Sequence, residues 1–369
     1  MRVLFTRFPL ESALGGAEIQ TLSLMRGLVE RGHTVLFLGS CPILLRECAA
    51  LGIESVQCDI GPPPVTKMHV VSFFWRKQAM RRIMKAHVEK MRPDAVCMLS
   101  LSEKLLLSDA LHRAGKRVVW IEHDRVGPWL QRNPWLATLK RASLSATIVC
   151  VSRLSASLYR AMGFAVERIA IIQNGIDATR FSHRARVRNE SSVLEVGCVA
   201  RLSAEKGIDV LLSAAFDCPH VSLTIVGIGN QENFLRKLID SMDLQLPGTR
   251  DRMRIIASVP DLGHFYASLD AFVLPSSDHD PFGLTAAEAM SVGVPTIVTD
   301  ACGIADYFTS GHDLLVAKSG DVSSLTQCLH DLTDPALRAV LHASGMKAVR
   351  KICHHDAMVE AYETLLTAN

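Results

Sequence analysis

The sequence predicts an α/β fold of two serial units, each built on a parallel sheet. Three observations predict it. Short apolar runs of strand length alternate with longer amphipathic stretches, the pattern of a parallel sheet covered by helices on both faces. The alternation restarts after a polar, basic stretch, Ser182–Ser192. The chain also has 369 residues, more than a single core usually organises.

In order, Val3–Phe5 is the first strand, followed by a glycine-bearing turn and a helix over Ala17–Glu30 that ends at Arg31-Gly32-His33. Thr34–Leu38, Ala95–Leu99, Val118–Ile121 and Thr147–Val151 are further buried strands, with helical patterns between them. The second series runs strand Leu194–Val199, helix Gly207–Phe216, strand Ser222–Val226, helix Asn233–Met242 and strand Met253–Ala257. It continues with helix Leu262–Ser268, strand Ala271–Leu274, helix Ala286–Ser291 and strand Thr296–Thr299.

Composition excludes several classes. Apolar residues are 49% and charged residues 21%, a globular balance. A net charge of +3 is too mild to indicate a nucleic-acid partner. The ten cysteines form no C-x-x-C pair and mostly sit in apolar runs, as Cys97 and Cys150 do. They read as buried free thiols, and no Cys/His spacing suggests zinc. The apolar stretch at Val3–Phe5 is too short for a signal-peptide core, and no run of membrane-spanning length occurs, so a cytoplasmic location is expected.

The most informative stretch is Asp278-His279-Asp280-Pro281-Phe282-Gly283-Leu284-Thr285-Ala286-Ala287-Glu288-Ala289-Met290. It follows the strand Ala271–Leu274, and Pro281 and Gly283 force a loop. Thr285 is expected to cap a helix beginning near Ala286, leaving the amides of Gly283, Leu284 and Thr285 free to hold a phosphate. Glu288 is expected in the first turn, where open α/β sheets bind ligands and a carboxylate can accept from ribose hydroxyls. After another strand, Arg201 and Lys206 place two cations suited to a diphosphate.

These residues resemble glycosyltransferase family 4, the retaining enzymes of the GT-B fold. The family signature has two acids separated by seven residues, Phe-Gly-Leu between them and Ala-Met-x-x-Gly-x-Pro after. Here it reads Asp280, Phe282-Gly283-Leu284, Glu288, Ala289-Met290 and Gly293-Val294-Pro295. The first acid departs from the family's usual Glu. The resemblance implies that Asp280 contacts the donor sugar, that Glu288 binds the ribose, and that Arg201 and Lys206 stabilise the leaving diphosphate. It implies donor contacts at Gly15 and Gly16, which follow the first strand, and at Val259, where backbone groups meet the base. His123, after the strand Val118–Ile121, corresponds to a His near the reacting sugar. Ser152-Arg153 and Asn174-Gly175 also match family positions, the latter read mainly as a turn.

The resemblance implies two Rossmann-like domains with parallel sheets facing across a cleft. The expected boundaries are 1–184 for acceptor binding, 185–346 for nucleotide-sugar binding, and 347–369 crossing back to the first domain. It implies a retaining hexosyltransferase using a UDP-sugar before a GDP-sugar. The acceptor would be a saccharide or lipid-linked glycan in surface polysaccharide or glycoconjugate synthesis. A GT-B nucleotide-sugar epimerase and a non-catalytic nucleotide-sugar binder remain alternatives. No cofactor is expected. Asp278-His279-Asp280 spells a metal-binding D-x-D, yet the phosphate role is already taken by Arg201, Lys206 and helix amides. Gly227-Ile228-Gly229 fails the dinucleotide fingerprint because Glu232 stands at the third glycine position, so it reads as a tight turn.

One segment stands apart. Between residues 76 and 92 there are seven Lys/Arg and one acid. Met80, Met84, Val88 and Met91 share a helical face. Two readings stand: a surface helix packing that stripe in the core, or a helix lying on an anionic monolayer through Phe73–Arg92, a peripheral contact with the inner face of the plasma membrane. If the stripe packs inward, only Phe73, Phe74, Trp75 and the cations remain for lipid.

Overall fold

The computed structural model describes residues 1–10, 15–177, 181 and 193–368. It divides into two compact units, Met1–Gly175 with Asp356–Asn369, and Ile176–His355.

The first unit runs β1 (Arg2–Arg7), α1 (Gly16–Glu30), β2 (Thr34–Gly39), α2 (Pro42–Ala50), β3 (Glu54–Gln57) and α3 (Lys67–Met91). It continues with β4 (Ala95–Met98), α4 (Leu101–Arg113), β5 (Arg117–Glu122), α5 (Pro128–Gln131), α6 (Leu136–Ser143), β6 (Thr147–Cys150), α7 (Arg153–Ala161) and β7 (Ile169–Ile171). The second unit holds β8 (Leu194–Val199), α8 (Ile208–Phe216), β9 (Val221–Val226), α9 (Glu232–Gln245), α10 (Thr249–Arg252) and β10 (Met253–Ile256). After these come α11 (Leu262–Ala267), β11 (Ala271–Leu274), α12 (Leu284–Val292), β12 (Thr296–Thr299), β13 (Leu315–Ala317), α13 (Val322–Asp331) and α14 (Pro335–Ile352). The last helix, α15 (His355–Thr367), returns to the first unit.

Each unit is one sheet with every pairing parallel. The orders are β3-β2-β1-β4-β5-β6-β7 and β10-β9-β8-β11-β12-β13. Alternation within strands fills both faces of the first sheet: Leu4, Val96 and Trp120 pack on one side, Val3, Phe5, Cys97 and Ile121 on the other. Met358, Val359, Tyr362 and Leu366 of α15 are buried on that second side, which gives the returning helix its driving force. In both sheets the chain reverses direction in strand order at the centre, between β1 and β4 and between β8 and β11. Loops diverge at such a switch point and leave room for a ligand at the strands' carboxyl ends.

The expected boundaries at 185 and 347 differ from these units. Ile176 bridges His354 and donates to the Cys353 carbonyl at 2.8 Å, so outgoing and returning strands of chain are joined inside the second unit. Residues 347–352 belong to α14, whose Leu341, Gly345 and Val349 are buried. All of Ser182–Ser192, the expected linker, lies outside the described residues.

On α3 the stripe Met80, Met84, Val88 and Met91 is buried in the core. Phe73 is also buried, at 1% exposure, edge-on to Trp135. That corrects its assignment to the lipid-facing set. Phe74 and Trp75 stay exposed. Among the described residues no helix is long and apolar enough to cross a membrane.

Candidate active site

The second unit's switch point is built from two touching loops. After β11, the amides of Ser277 and Asp278 donate to the Glu205 carbonyl of the loop after β8, at 2.9 and 3.3 Å. Gly207 sits at the contact with φ 62°, and a Cβ there would collide with the Pro275 carbonyl and the Ser277 hydroxyl. Only glycine accepts both the left-handed backbone and that approach. The result is an ion pair, Lys206 Nζ to Asp280 Oδ2 at 2.6 Å. Ser276 donates its hydroxyl to the same oxygen at 3.2 Å, and the Phe282 amide donates to Oδ1 at 3.3 Å. The main chain of Asp280 is fixed too: its amide donates to the Ala301 carbonyl and its carbonyl accepts from the Gly303 amide, each at 2.9 Å.

Burial alone would raise the Asp280 carboxyl, but the Lys206 ammonium and these hydrogen bonds hold it below its ordinary range. Burial opposes the Lys206 charge and Asp280 outweighs it, so the ammonium pKa rises. Both groups are therefore charged at neutral pH. Arg201 lies exposed after β8, at the same edge.

Helix α12 starts at Leu284, with Gly283 as its N-cap at φ 93°. This corrects the expected Thr285 cap: Thr285 is the second residue of the helix. Glu288 consequently falls in the second turn, not the first. The amides of Leu284 and Thr285 lie in the first turn, where N–H groups have no partner within the helix. Glu288 is buried and its Oε2 accepts from the fully buried Tyr266 hydroxyl of α11 at 2.9 Å. Phe282 is buried at the ring, so its amide is the group it turns to the Asp280 carboxylate. Val259 is half-buried after β10, separated from β8 by β9. Gly227 and Gly229 form a tight turn against the β8 loop, where a Cβ would strike the Ala200 or Leu202 carbonyl.

The first unit gathers a second set at the carboxyl ends of β1, β4 and β5. Buried Arg7 pairs with Glu18 at 3.0 Å and with Asp124 at 3.2 Å. Glu18 also accepts from the Gly15 amide at 3.2 Å, a capping interaction at the start of α1. The Gly15 amide is thus already engaged, and Gly16 opens the helix; residues 11–14 of this loop lie outside the described residues. Glu103 caps α4 through the Ser100 amide at 2.7 Å, and burial pushes its carboxyl up to about 7. Lys104 and Glu122 form a buried pair at 2.8 Å. His123 is half-buried just after β5. Burial, then the Arg7 charge, holds its imidazole down to about 4 against the pull of Asp124, so the ring is neutral at pH 7.

Sequence reasoning missed Arg7, Glu18, Tyr266 and Ser276. Ser276 stands four residues from Asp280 and a search for hydroxyls beside the acid would have found it. Glu18 stands three residues after Gly15, the spacing of a helix-capping acid; Arg7 and Tyr266 are joined to their partners only by the fold. Cys218, His220 and His330 also come together, the single such group of potential metal ligands among the described residues.

Two family models match the chain: "Glycosyltransferase Family 4" over residues 14–180 and "Glycosyl transferases group 1" over 180–343. Together they span most of the chain, which belongs to this glycosyltransferase family. The putative colanic acid biosynthesis glycosyltransferase WcaL of Salmonella typhimurium is 32% identical over 50% of this chain and 46% of that protein. The lipopolysaccharide core biosynthesis glycosyltransferase LpsD of Rhizobium meliloti is 30% identical over 58% of this chain and 62% of its own length. The matched stretch thus spans about half to two thirds of these relatives. The solved structure of Anabaena Alr3699/HepE in complex with UDP superposes with a TM-score of 0.80 at 18% identity, covering 100% of both chains. That likeness bears out the expected two-domain GT-B fold.

His123 supplies a prediction about pH. Its folded value, about 4, lies below the ordinary 6.5. The neutral ring's contribution to stability is therefore complete above about pH 6.5 and lost as pH falls toward 4. The His123 Cε1 proton should titrate by NMR with a midpoint near 4; a midpoint at the ordinary histidine value would contradict the burial beside Arg7.

Proposed function

We propose that this family-4 chain transfers a hexosyl group from a nucleotide-diphosphate sugar to a saccharide or lipid-linked glycan hydroxyl, with retention, in surface polysaccharide or glycoconjugate synthesis. The observation that carries the reading is the 2.6 Å Lys206–Asp280 pair at the β8/β11 switch point, flanked by exposed Arg201 and the first turn of α12. Two cations and unpaired amides suit a diphosphate, and a buried carboxylate beside them suits sugar hydroxyls.

In this reading Arg201, Lys206 and the amides of Leu284 and Thr285 hold the diphosphate, with Gly283 shaping the approach. Glu288, oriented by Tyr266, accepts from the ribose. Asp280 accepts from the donor sugar while keeping Lys206 in place, and Val259 offers backbone groups to the base. The anomeric C–O bond breaks and its electron pair passes to the β-phosphate oxygen, where Lys206 and Arg201 offset the growing charge. The acceptor oxygen forms the new bond on the same face, and its proton goes to the leaving phosphate. His123, as a neutral imidazole, hydrogen-bonds the transferred sugar, and Gly16 with the Gly15 turn lets the main chain come near it. A UDP-sugar is favoured over a GDP-sugar; the UDP complex of Alr3699/HepE supports that choice. Lys206 already supplies a cation at Asp280, which supports transfer without a divalent metal.

The test is thermal unfolding with UDP, GDP or ADP, each with and without EDTA, for the parent and Glu288→Ala. A ligand at 100 times its Kd stabilises by about 2.7 kcal/mol. The midpoint should rise most with UDP, the rise should survive EDTA, and Glu288→Ala should shrink it relative to its own ligand-free midpoint. A rise only with divalent metal, or none with any diphosphate, contradicts the reading.

The exposed half of α3 supports a peripheral membrane contact that would bring the enzyme to a lipid-linked acceptor. Met68, Val71, Phe74 and Trp75 are 72, 64, 62 and 82% exposed, beside exposed Arg81, Arg82 and Lys85. The protein should co-sediment with vesicles containing phosphatidylglycerol and not with neutral ones. Trp75→Ala should weaken that binding, and equal sedimentation with both vesicle types would contradict it.

A further inference from the structure

At the opposite edge of the second sheet from Lys206 and Asp280, three soft or borderline metal donors meet. Cys218 lies in the short connection between α8 and β9, His220 directly precedes β9, and His330 is next to the end of α13. Sequence separates Cys218 from His330 by 112 residues. Their donor atoms, with one from His220, all lie within 4.8 Å of one another.

The spacing of one ligand pair approaches that of a tetrahedral zinc site. Zn–S of about 2.3 Å and Zn–N of about 2.0 Å place neighbouring S and N ligands about 3.5 Å apart. Cys218 Sγ and His330 Nε2 stand 3.8 Å apart. The His220 and His330 rings are 5.2 Å apart by centroid and inclined by 41°, so neither stacks flat on the other. His220 carries a buried Nε2 with no hydrogen-bond partner among the described residues, and a buried polar atom left in that state calls for an explanation.

The carrier loop is tied down by one arginine. Arg252 donates to the carbonyls of Ala215, Phe216, Cys218 and Val221 at 2.7, 3.0, 3.3 and 3.3 Å. Its cation is thereby spread over the carbonyls ending α8, and the main chain that presents Cys218 and His220 is held in place. Two imidazoles and a thiol favour Zn²⁺ over Mg²⁺, Ca²⁺ or Mn²⁺. His330 is exposed, so the fourth position would face water.

We infer that Cys218, His220 and His330 form a zinc site that clips the α8–β9 connection to the end of α13. Binding forms a Zn–S bond and releases the Cys218 thiol proton to solvent, while both imidazoles bind neutral. The site is separate from the transfer chemistry. It braces α8, the helix that begins one residue after Gly207 and therefore just beyond Lys206.

The test titrates tag-free, reduced protein with Co²⁺, a probe whose thiolate bond gives a near-ultraviolet charge-transfer band. One equivalent should produce the band, and Zn²⁺ should abolish it. Cys218→Ser should lack it. His330→Ala, at an exposed helical position, should fold as the parent does and bind Zn²⁺ about 10–100-fold more weakly or worse. Zn²⁺ should also raise the thermal midpoint of the parent and not of His330→Ala. Cobalt uptake without a thiolate band, a band that persists in Cys218→Ser, or Zn²⁺ affinity unchanged in His330→Ala overturns the assignment.

Discussion

A buried aspartate can stay ionised only if something nearby stabilises the charge, and at Asp280 that partner is Lys206. Their 2.6 Å contact joins the loop after β8 to the loop after β11, the two strands at which the second sheet reverses its order. Removing either member leaves the other charge without its partner; a fully buried pair loses about 3–5 kcal/mol in that way, and with Lys206 23% exposed the loss here falls below that range. The pair therefore shapes the switch point and supplies its charge. Gly207 and Gly283, both with positive φ, let the chain bend tightly enough to bring the partners together.

The first unit repeats the device with different residues. Arg7 at the end of β1 is held by Glu18 and Asp124, and Glu18 in turn caps the turn at Gly15. Arg7 therefore ties the start of α1 to the end of β5 and, after burial itself, depresses the His123 pKa. Each unit thus presents a preorganised polar edge where its strand order reverses. Fold and charge placement are coupled because the loops that carry the charges are the ones freed by the reversal.

What was legible in the sequence follows from burial. The interior strand Ala271–Leu274 is legible with the bounds it has because its continuous apolar run marks a strand covered on both faces; Leu194–Val199 is legible too, although half-buried Glu195 interrupts its run. The strands that escaped, β3, β7 and β13, all lie at sheet ends. They are three or four residues long, and β3 and β7 are only half-buried or exposed. Asp280, Glu288 and Lys206 were individually legible through motif spacing along their own loop or helix, but the Lys206–Asp280 pair, 74 residues apart in sequence, was not. Tyr266 with Glu288, Arg7 with Asp124, and Cys218 with His330 were not, since only the packed sheet brings each pair together. The polar stretch that suggested a linker lies outside the described residues, while the change of compact unit falls at 175/176, where Ile176 donates to the Cys353 carbonyl, a long-range contact with no trace in the local sequence.

The most direct measurement is release of nucleoside diphosphate from a nucleotide sugar, in EDTA with a glycan acceptor, across Lys206→Met, Asp280→Asn and the double variant. Loss of one preorganised charge partner should reduce turnover by about 10²–10³. The double variant should fall no further than the worse single, because the two side chains act as one unit. Turnover unchanged in Lys206→Met, or losses that simply multiply, would contradict the account.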